Sequence, residues 1–414
     1  MSLFPHSWGI IKNEAAEPSP ASPNGTIKKK GDGDYCMLIF LLSLSLLIWV
    51  VFLIDALVGF RSLDRLEIEA PLFEGPLLSV VVAARNEEAH IKESVLSQLN
   101  QSYRNVEWLL VNDRSTDRTG EKMEELKAID ARVRVLHIED LPEGWLGKNH
   151  ALFQGYLAAK GDRILFTDAD VEYHEDAFAK AIGYFERNGL DHMTAAPNMK
   201  AEGFWLKSFV AFFLFGFSYY KRPWTANYPK SKNGIGIGAF NLVSKAGYES
   251  FGTHEAIRMR PDDDLQLGLK MKRAGRKQRI VSALTLLEVE WYSTLKEALA
   301  GLEKNTFAGL HYRLSMVAFA IAGTFVSQVL PFFTLFVPDR TVFLLSLGNI
   351  IGIAALYMLV LRKMTRFSPV LFTAFPLTAS IFIYSIIRAS YLTFRRGGII
   401  WRGTKYSLKE LRKP

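Results

Sequence analysis

The sequence LLSVVVA at residues 77–83 determines the fold class of this chain. It is a short run of apolar and β-branched residues, as in strands of a parallel sheet that are buried on both faces. A helix is predicted directly after it, because Ile91, Val95 and Leu99 recur on one face. The same alternation of strand and helix continues along the chain. The pattern therefore predicts an α/β domain with a largely parallel sheet over residues 76–313.

Polar residues cluster where the predicted strands end. Three further strands are predicted from similar runs: VEWLLV at 106–111, VRVLHI at 133–138 and RILFT at 163–167. In sheets of this kind, ligands bind beyond the carboxyl ends of the strands. The polar clusters that follow strands are 84–87, 112–117 and 168–170. We therefore expect the functional site at this edge of the sheet.

The composition excludes several classes of protein. Lys and Arg total 50 against 42 Asp and Glu, a formal net charge of +8, and no long basic run occurs away from the two ends. A nucleic-acid binder usually gathers its basic residues into a stripe, so no nucleic-acid partner is expected. Cys36 is the one cysteine, which excludes an internal disulfide and a thiolate zinc site. The first strand is not followed by G-x-G-x-x-G, which counts against a nicotinamide or flavin enzyme.

Apolar residues gather into long blocks near the start and at the end of the chain, which indicates a membrane protein with a large water-facing domain. Residues 36–60 exceed the roughly 20 apolar residues that one crossing needs. We interpret them as an anchor and not as a signal peptide, because no small-residue cleavage site follows. The three C-terminal blocks that predict two to three more transmembrane helices are 314–337, 341–361 and 369–394.

The distribution of Lys and Arg predicts the orientation in the membrane. Lys28–Lys30 favour a cytoplasmic N-terminus weakly, whereas the loop 362–368 and the basic tail favour a cytoplasmic C-terminal region. Three full crossings cannot join a cytoplasmic middle domain to a cytoplasmic C-terminus. Either one block is re-entrant, for which the block with Pro331 is the candidate, or the tail lies outside. We expect a multi-pass protein of the cytoplasmic membrane whose large α/β domain faces the cytoplasm.

The domain organisation follows from these blocks. We predict a disordered tail, an anchor, a linker, an α/β domain, C-terminal membrane segments and a basic tail, at 1–35, 36–60, 61–75, 76–313, 314–394 and 395–414. The densely aromatic stretch 204–224 predicts a helix in the headgroup layer, although a buried core helix would also explain it.

The first three polar clusters are ambiguous when each is taken alone. Ala84-Arg85-Asn86-Glu87 fits either a site or a helix cap. Asp113 can accept from a base N–H or a ribose hydroxyl, and it can also be a turn residue. Lys148 follows Gly147 at a helix start, where an ammonium group suits an anion. A solvated lysine is the simpler interpretation of Lys148 alone.

Two acidic clusters carry a more specific chemical signal. Asp168 and Asp170 leave a buried strand together, and carboxylates this close repel one another unless a cation lies between them. Hard carboxylate oxygens suit Mg²⁺ or Mn²⁺, with a diphosphate completing the shell. The second cluster is Asp262-Asp263-Asp264, at the start of a predicted helix. Such an acidic start is favoured by the helix dipole alone, but in this context it indicates a general base.

Taken together, these residues resemble the inverting glycosyltransferases of family 2, which have the GT-A fold. The resemblance covers about residues 76–313 and rests on VVVAARNEE, VNDRSTD, GKNHA, TDAD, GAFNLVSKAGYE, GTHEA and DDLQLG. The tail GIIWRGT at 398–404 is similar to the membrane-bound members that glycosylate lipids. Those members include ceramide-glucosyltransferase-like, carotenoid-glycosylating and hopanoid-associated bacterial enzymes.

The resemblance implies a nucleotide-diphosphate sugar donor, usually UDP-linked, and a lipid acceptor. It assigns the nucleoside to Ala84, Arg85, Glu87 and Asp113. It also implies that Lys148 and Asp168 complete the donor site, that Asp170 with Asp168 binds the metal, and that Asp264 is the catalytic base with Asp263 in support. The family carries Glu-Asp or Asp-Asp here, and the spacing to 254–256, 267–268 and 274–275 makes Asp264 the second acid.

One departure from the family pattern bears on the reaction. Processive polysaccharide synthases carry Gln-x-x-Arg-Trp after the base, whereas residues 302–307 read LEKNTF. A single-sugar transferase is therefore favoured over a processive synthase, although Lys304 could still face the diphosphate. A non-catalytic membrane scaffold that keeps the fold is the other alternative. The presence of Asp168, Asp170 and Asp264 counts against it.

Overall fold

The computed structural model describes residues 35–310, 312–401 and 404–407. The strands are β1 Asp64–Arg65, β2 Leu78–Ala84, β3 Val106–Asp113, β4 Val133–Ile138, β5 Arg163–Asp168, β6 Val171–Tyr173, β7 His192–Ala196, β8 Asn198–Lys200, β9 Asn241–Ser244, β10 Gln278–Ser282, β11 Leu287–Glu290, β12 Gly398–Trp401 and β13 Thr404–Ser407. The first eleven belong to the α/β domain, and β12 and β13 form a terminal hairpin.

The helices alternate with these strands and then continue into the apolar C-terminal region. They are α1 Cys36–Gly59, α2 Ile91–Leu99, α3 Thr119–Ile129, α4 Gly147–Ala158, α5 Ala177–Arg187, α6 Phe204–Lys221, α7 Lys245–Glu249, α8 Asp263–Arg273, α9 Leu295–Gly309, α10 Leu314–Thr324, α11 Leu330–Thr334, α12 Arg340–Met364 and α13 Phe375–Arg396. A π-helical segment, Phe325–Val329, joins α10 to α11.

The main sheet has eight strands in the order β1-β10-β7-β9-β5-β2-β3-β4. All neighbours are parallel except β9, which runs antiparallel to both β5 and β7. Strands β2 and β3 are buried along nearly their whole length, as expected for strands covered by helices on both faces. The predicted α/β architecture with a largely parallel sheet is confirmed.

A smaller sheet continues the domain beside the ends of β5 and β7. Its order is β6-β11-β8, with β6 antiparallel and β8 parallel to β11. Because β6 begins directly after Asp170, the chain turns sharply at the acidic pair 168–170. This turn holds both carboxylates at the edge where the carboxyl ends of β2, β3 and β5 meet.

Four helical segments are long and apolar enough to cross a membrane, by length and composition, within the described residues. They are Cys36–Ser62, Leu314–Thr334, Arg340–Met364 and Pro369–Arg396. The first of them contains α1, which ends in a joint with the α/β domain. There the carboxylate of Asp55 accepts from Nε of Arg222 at 2.7 Å, and a Cβ added at Gly59 would collide with the ring of Trp224.

Helix α6 contains most of the aromatic stretch 204–224. One of its faces is buried against the apolar helices, and Phe215 contacts Trp49, Tyr357 and Phe375. The aromatic side chains at its two ends, Trp205 and Tyr220 among them, are exposed. The helix therefore packs on the candidate membrane helices by one face, and its position in the headgroup layer remains a prediction. The domain boundaries also remain predictions, and residues 1–34 lie outside the described residues.

Candidate active site

The loops that follow β2 and β3 are joined to each other by hydrogen bonds. Asn86 has a left-handed backbone (φ 56°), and its side-chain Oδ1 accepts from the Thr116 amide at 2.8 Å. The Glu87 amide donates to Oγ1 of Thr119 at 2.8 Å. Ala84 is the last residue of β2, so Arg85 and Glu87 lie at the predicted edge of the sheet. Asn86 thus joins the two loops and does not cap the following helix, which begins at Ile91 after His90.

The carboxylate of Asp113 is buried at the end of β3, against the start of α4. Its Oδ1 accepts from Nε of Arg114 at 2.8 Å. A Cβ added at Gly147 would collide with the Asp113 carboxylate and the Arg114 guanidinium. Glycine at the first position of α4 therefore allows this pair to approach the amino end of the helix. Asp117, by contrast, acts as a cap, because it accepts from the amide of Thr119 at 3.0 Å.

Lys148 joins the two acidic clusters. Its Nζ lies 2.7 Å from Oδ1 of Asp168 and 3.4 Å from Oδ2 of Asp263. Burial lowers the pKa of this ammonium, but the carboxylates of Asp168, Asp263 and Asp264 more than compensate and hold it above its usual range. The lysine is therefore charged and paired, and the interpretation as a freely solvated side chain is wrong.

Asp170 lies beside Asp168 on the turn into β6. Burial, together with the nearby carboxylates of Asp168 and Glu87, raises the pKa of Asp170 to about 7. Gly238 borders the pair, since its carbonyl accepts from the Asp168 amide at 3.1 Å and a Cβ there would collide with the Asp168 carboxylate. Negative charge is thus concentrated where the sequence predicted a cation.

The three adjacent acids at 262–264 occupy different environments. Asp262 forms a two-point pair with Arg260, at 2.9 Å for each contact, and also accepts from Gln266. Asp263 is buried against Lys148. Asp264 accepts from the Gly238 amide at 2.9 Å and the Leu265 amide at 2.7 Å. Burial and the neighbouring Asp263 raise the pKa of Asp264 to about 7.

The carboxylates fit a divalent cation only in part. Among the described residues there is no group of three or more His, Cys, Asp or Glu side chains that could hold a metal ion. Asp168 and Asp170 offer hard oxygen ligands, and burial together with the carboxylates of Asp168 and Glu87 raises the pKa of Asp170. A cation held here would need further oxygens from a ligand such as a diphosphate, which matches the sequence-based expectation.

The structure brings five of the predicted residues together and adds two to which sequence analysis gave no role of their own. Lys148, Asp168, Asp170, Asp263 and Asp264 form one cluster, joined by contact or by charge. These two residues are Arg114 and Gly238. Arg114 directly follows Asp113 and has a left-handed backbone (φ 54°). Gly238 belongs to the glycine-rich run 234–238, and that repetition was the available signal. The side chain of Lys304 lies outside the described residues.

Comparison with known proteins gives the family of this domain. Residues 79–251 match the model of the family described as Glycosyl transferase family 2. The chain contains a family 2 glycosyltransferase domain. The sheet, with β9 inserted antiparallel between parallel strands, is of the GT-A type. The resemblance found in the sequence is confirmed.

Similar proteins match either part of the chain or most of it. An uncharacterized glycosyltransferase of Haemophilus influenzae is 36% identical over 120 residues, which are 29% of this chain and 35% of that protein. The first curated relatives are thus matched over about a third to a half of their length. The 4,4'-diaponeurosporenoate glycosyltransferase of Staphylococcus aureus is 22% identical, covering 85% of this chain and 94% of that protein. Mannosyltransferase PcManGT from Pyrobaculum calidifontis, solved with GDP-Man and Mn²⁺, is 15% identical over 85% of this chain and 98% of its own, with a TM-score of 0.49.

Proposed function

We propose that this protein transfers a single sugar from a nucleotide-diphosphate donor, UDP-linked, to a membrane lipid, with inversion at the anomeric carbon and with help from a divalent cation. The observation that carries the proposal is the cluster in which Lys148 touches Asp168 on one side and Asp263 on the other. In this cluster the Lys148 ammonium group, an acidic pair of the kind that binds metal ions and a candidate base lie together at the carboxyl edge of a family 2 domain.

The residues of the cluster have separate roles in this proposal. Asp264 takes the proton from the acceptor hydroxyl while the hydroxyl oxygen bonds to the anomeric carbon and the bond to the diphosphate breaks. A pKa near 7 suits that task, and the Gly238 and Leu265 amides fix the carboxylate. Lys148 faces the departing diphosphate. Asp168 and Asp170 would hold the divalent cation, Mg²⁺ or Mn²⁺, and a bound cation would stabilise negative charge on the diphosphate.

The donor nucleoside is placed beside the loops after β2 and β3. Asp113 accepts from the base or ribose, and Ala84, Arg85 and Glu87 complete this side of the pocket. Arg114 adds a guanidinium group that already pairs with Asp113. The Arg114 pair and Gly147 together give the nucleoside a polar corner at the amino end of α4, where the helix dipole favours a diphosphate.

A lipid acceptor is supported by the surroundings of the domain. The candidate membrane helices pack directly on α6, which follows β8 of the small sheet. The relative that matches most of the chain is named for a carotenoid-type acceptor, 4,4'-diaponeurosporenoate. An acceptor dissolved in the bilayer would meet the domain along this apolar side. The absence of Arg-Trp in 302–307 disfavours the alternative of a processive polysaccharide synthase.

The basic residues favour a catalytic domain on the cytoplasmic side of the membrane. Arg362, Lys363 and Arg366 lie at the end of α12, and Arg366 reaches Glu288 of β11 at 3.9 Å. This end of α12 is thus the domain side, and the positive-inside rule assigns it to the cytoplasm. Since α1 crosses once, the N-terminal residues then lie on the opposite side, against the weak expectation from Lys28–Lys30.

One experiment separates the three functional candidates. Membranes containing the full chain are incubated with a panel of labelled UDP-sugars, and product is sought in the lipid extract and in the polymer fraction, with Asp264→Asn as the matched control. We expect one labelled lipid carrying one sugar, and none from the control. Labelled polymer would establish the synthase. If wild-type membranes are no more active than the control with every sugar, the non-catalytic scaffold is the remaining candidate.

A further inference from the structure

We infer that the last apolar segment, Pro369–Arg396, does not cross the membrane. It enters the leaflet on the side of the α/β domain, turns back and ends on the same side, so that the lipid of this one leaflet covers its outer face. Length and hydropathy allow a full crossing. The contacts between helices decide otherwise, and they do so independently of the reaction proposed above.

Helices α1 and α12 give the depth scale. They run parallel, since Nδ2 of Asn349 donates to the carbonyl of Leu42 at 2.9 Å and Trp49 packs on Gly352 further along both helices. Helix α1 ends at the joint with the α/β domain, so Met364 marks the domain side and Arg340 the far side. At 1.5 Å per residue, 25 residues give α12 a length of about 37 Å, which is enough to cross.

The segment with Pro331 crosses in the opposite direction. The indole N–H of Trp49 donates to the carbonyl of Ser327 at 3.1 Å, and Thr334 bonds to Ser346 at 2.7 Å. Later residues of this segment therefore pair with earlier residues of α12, as in an antiparallel hairpin. The residue four positions after Ser327 is Pro331, which has no N–H to donate, so the Ser327 carbonyl is available to the indole. Sequence analysis named the Pro331 block as the re-entrant candidate, and these contacts favour a full crossing for it instead.

After α12 the chain turns on the domain side, and the segment Pro369–Arg396 then enters the membrane only part of the way. Arg366 reaches Glu288 of the small sheet, directly before the segment begins. Phe375 marks the depth of the segment, because its ring lies 5.5 Å from Tyr357, 5.3 Å from Phe215 and 6.1 Å from Phe332. Tyr357 precedes Met364 by seven residues, or about 10 Å along α12. Phe332 lies two residues before Thr334, toward the far side, so the segment passes well into the hydrocarbon core, about 30 Å thick, before it turns back.

Helix α13 returns to the domain side. Ile386 packs with Val317, in the first turn of α10, where the hairpin leaves the domain. The guanidinium groups of Arg388 and Arg396 then bind the same carboxylate, Glu303 of α9, at 3.0 and 2.6 Å. Helix α9 follows the small sheet by a short loop, so this double pair fixes the end of α13 beside the α/β domain.

The outer face of α13 has the composition of a membrane-interface surface. Its exposed apolar and aromatic side chains recur every three to seven residues along one stripe: Leu377, Tyr384, Ile387, Tyr391 and Phe394. Tyrosine favours the headgroup level, and the stripe ends beside Arg395, whose side chain can reach the headgroups. The lipid of the near leaflet is the occupant that fits this stripe.

Single-cysteine labelling of the full chain in cells tests the inference. Cys36, the one native cysteine, is replaced by alanine, and a cysteine is introduced by Phe336→Cys in the α11–α12 loop, Ser368→Cys before the segment, or Ser407→Cys after it. A membrane-impermeant maleimide is applied to intact and to opened cells. We expect Ser368→Cys and Ser407→Cys to react from one side of the membrane and Phe336→Cys from the other.

Two results would overturn the inference. Reaction of Ser407→Cys from the side of Phe336→Cys would show that α13 crosses. Reaction of Ser368→Cys from the side of Phe336→Cys would show that α12 does not cross. An epitope tag after Pro414, probed with antibody before and after opening the cells, reports the same side if a cysteine is shielded from the reagent. Because only relative sides are compared, the result does not depend on whether the domain faces the cytoplasm.

Discussion

At the scale of single residues, three adjacent acids with different partners predict a graded mutational series. Asp264→Asn should lower sugar transfer by about 10²–10⁴-fold, because a positioned base contributes about that much. Donor binding should persist. Asp263→Asn should be intermediate, since it removes a partner of Lys148. Asp262→Asn should stay close to wild type, because Arg260 and Gln266 engage that side chain instead.

Transfer rate and UDP affinity, measured separately for each variant, check this order. The register of the motif would be wrong if Asp262→Asn were inactive while Asp264→Asn kept most of its rate.

The raised pKa of Asp264 also predicts how stability depends on pH. Its folded-state pKa of about 7 exceeds the ordinary value of 3.8, so the folded protein binds this proton more tightly than the unfolded chain. The contribution to stability is therefore full below pH 4 and is lost as the pH rises toward 7. Without ligands at pH 8, Asp264→Asn should melt about 2 °C or more above wild type. The difference should vanish near pH 4, and equal melting temperatures at pH 8 would contradict the assignment.

Asp170 predicts a pH dependence of metal binding. A cation competes with the proton that Asp170 retains up to about pH 7. Affinity for Mn²⁺ in the presence of UDP should therefore rise by up to about tenfold per pH unit below 7 and level off above it. Calorimetric titrations at pH 6, 7 and 8 measure this. Asp170→Asn should bind Mn²⁺ weakly at every pH, and a variant with the wild-type profile would exclude Asp170 as a ligand.

The acids could be predicted from sequence, whereas their partners could not. The sequence singles out Asp168, Asp170 and Asp264, because adjacent carboxylates at a strand end or a helix start repel one another and are unfavourable unless a cation or a chemical role accounts for them. Gly238 touches both acidic clusters only because β9 inserts between β5 and β7, which is a long-range pairing. No local pattern encodes that pairing. Arg114 was overlooked because a charged residue in a turn is ordinary until its neighbours are known.

At the scale of secondary-structure elements, the start of α4 depends on glycine. In Gly147→Ala the new Cβ would displace the Asp113 carboxylate and the Arg114 guanidinium. Donor affinity should fall by about tenfold or more, while the helix itself should tolerate alanine well. Gly216→Ala in α6 is the matched control, because nothing lies within 4 Å of its added Cβ. UDP titration of both variants checks the prediction. An unchanged UDP affinity in Gly147→Ala would show that Asp113 and Arg114 at the start of α4 are not part of the donor site.

The elements that sequence predicted well are those with a strong local signal. The runs at 77–83, 106–111, 133–138 and 163–167 all became parallel strands of the main sheet. Strands β2, β3 and β5 are largely buried, as apolar runs predict, whereas β4 lies at the edge and is only partly buried. Strands β7 and β9 were not predicted. Hydropathy could find the apolar segment Pro369–Arg396 but not its path, since apolar length permits a crossing without requiring one.

At the scale of the whole molecule, the Asp55–Arg222 pair joins the membrane helices to the α/β domain. Asp55→Arg alone would bring two guanidinium groups together and should lower transfer to lipid several-fold. The charge-reversed double variant Asp55→Arg with Arg222→Asp should recover most of it, because aspartate tolerates the left-handed backbone at 222 (φ 48°). UDP affinity should stay unchanged in both variants. A double variant no better than the single one would assign the loss to something other than the pair.

The tight fit of Trp224 against Gly59, beside the Asp55–Arg222 pair, leaves the domain little freedom to tilt or rise relative to α1. The carboxylate of Asp264, the proposed base, would then lie at a constant height above the hydrocarbon. An acceptor would then be selected by the distance between its membrane-embedded tail and its reactive hydroxyl, because only one such distance brings the hydroxyl to the carboxylate. Two lipids with the same hydroxyl but different spacers would be distinguished, while unlike lipids with matching reach would be treated alike.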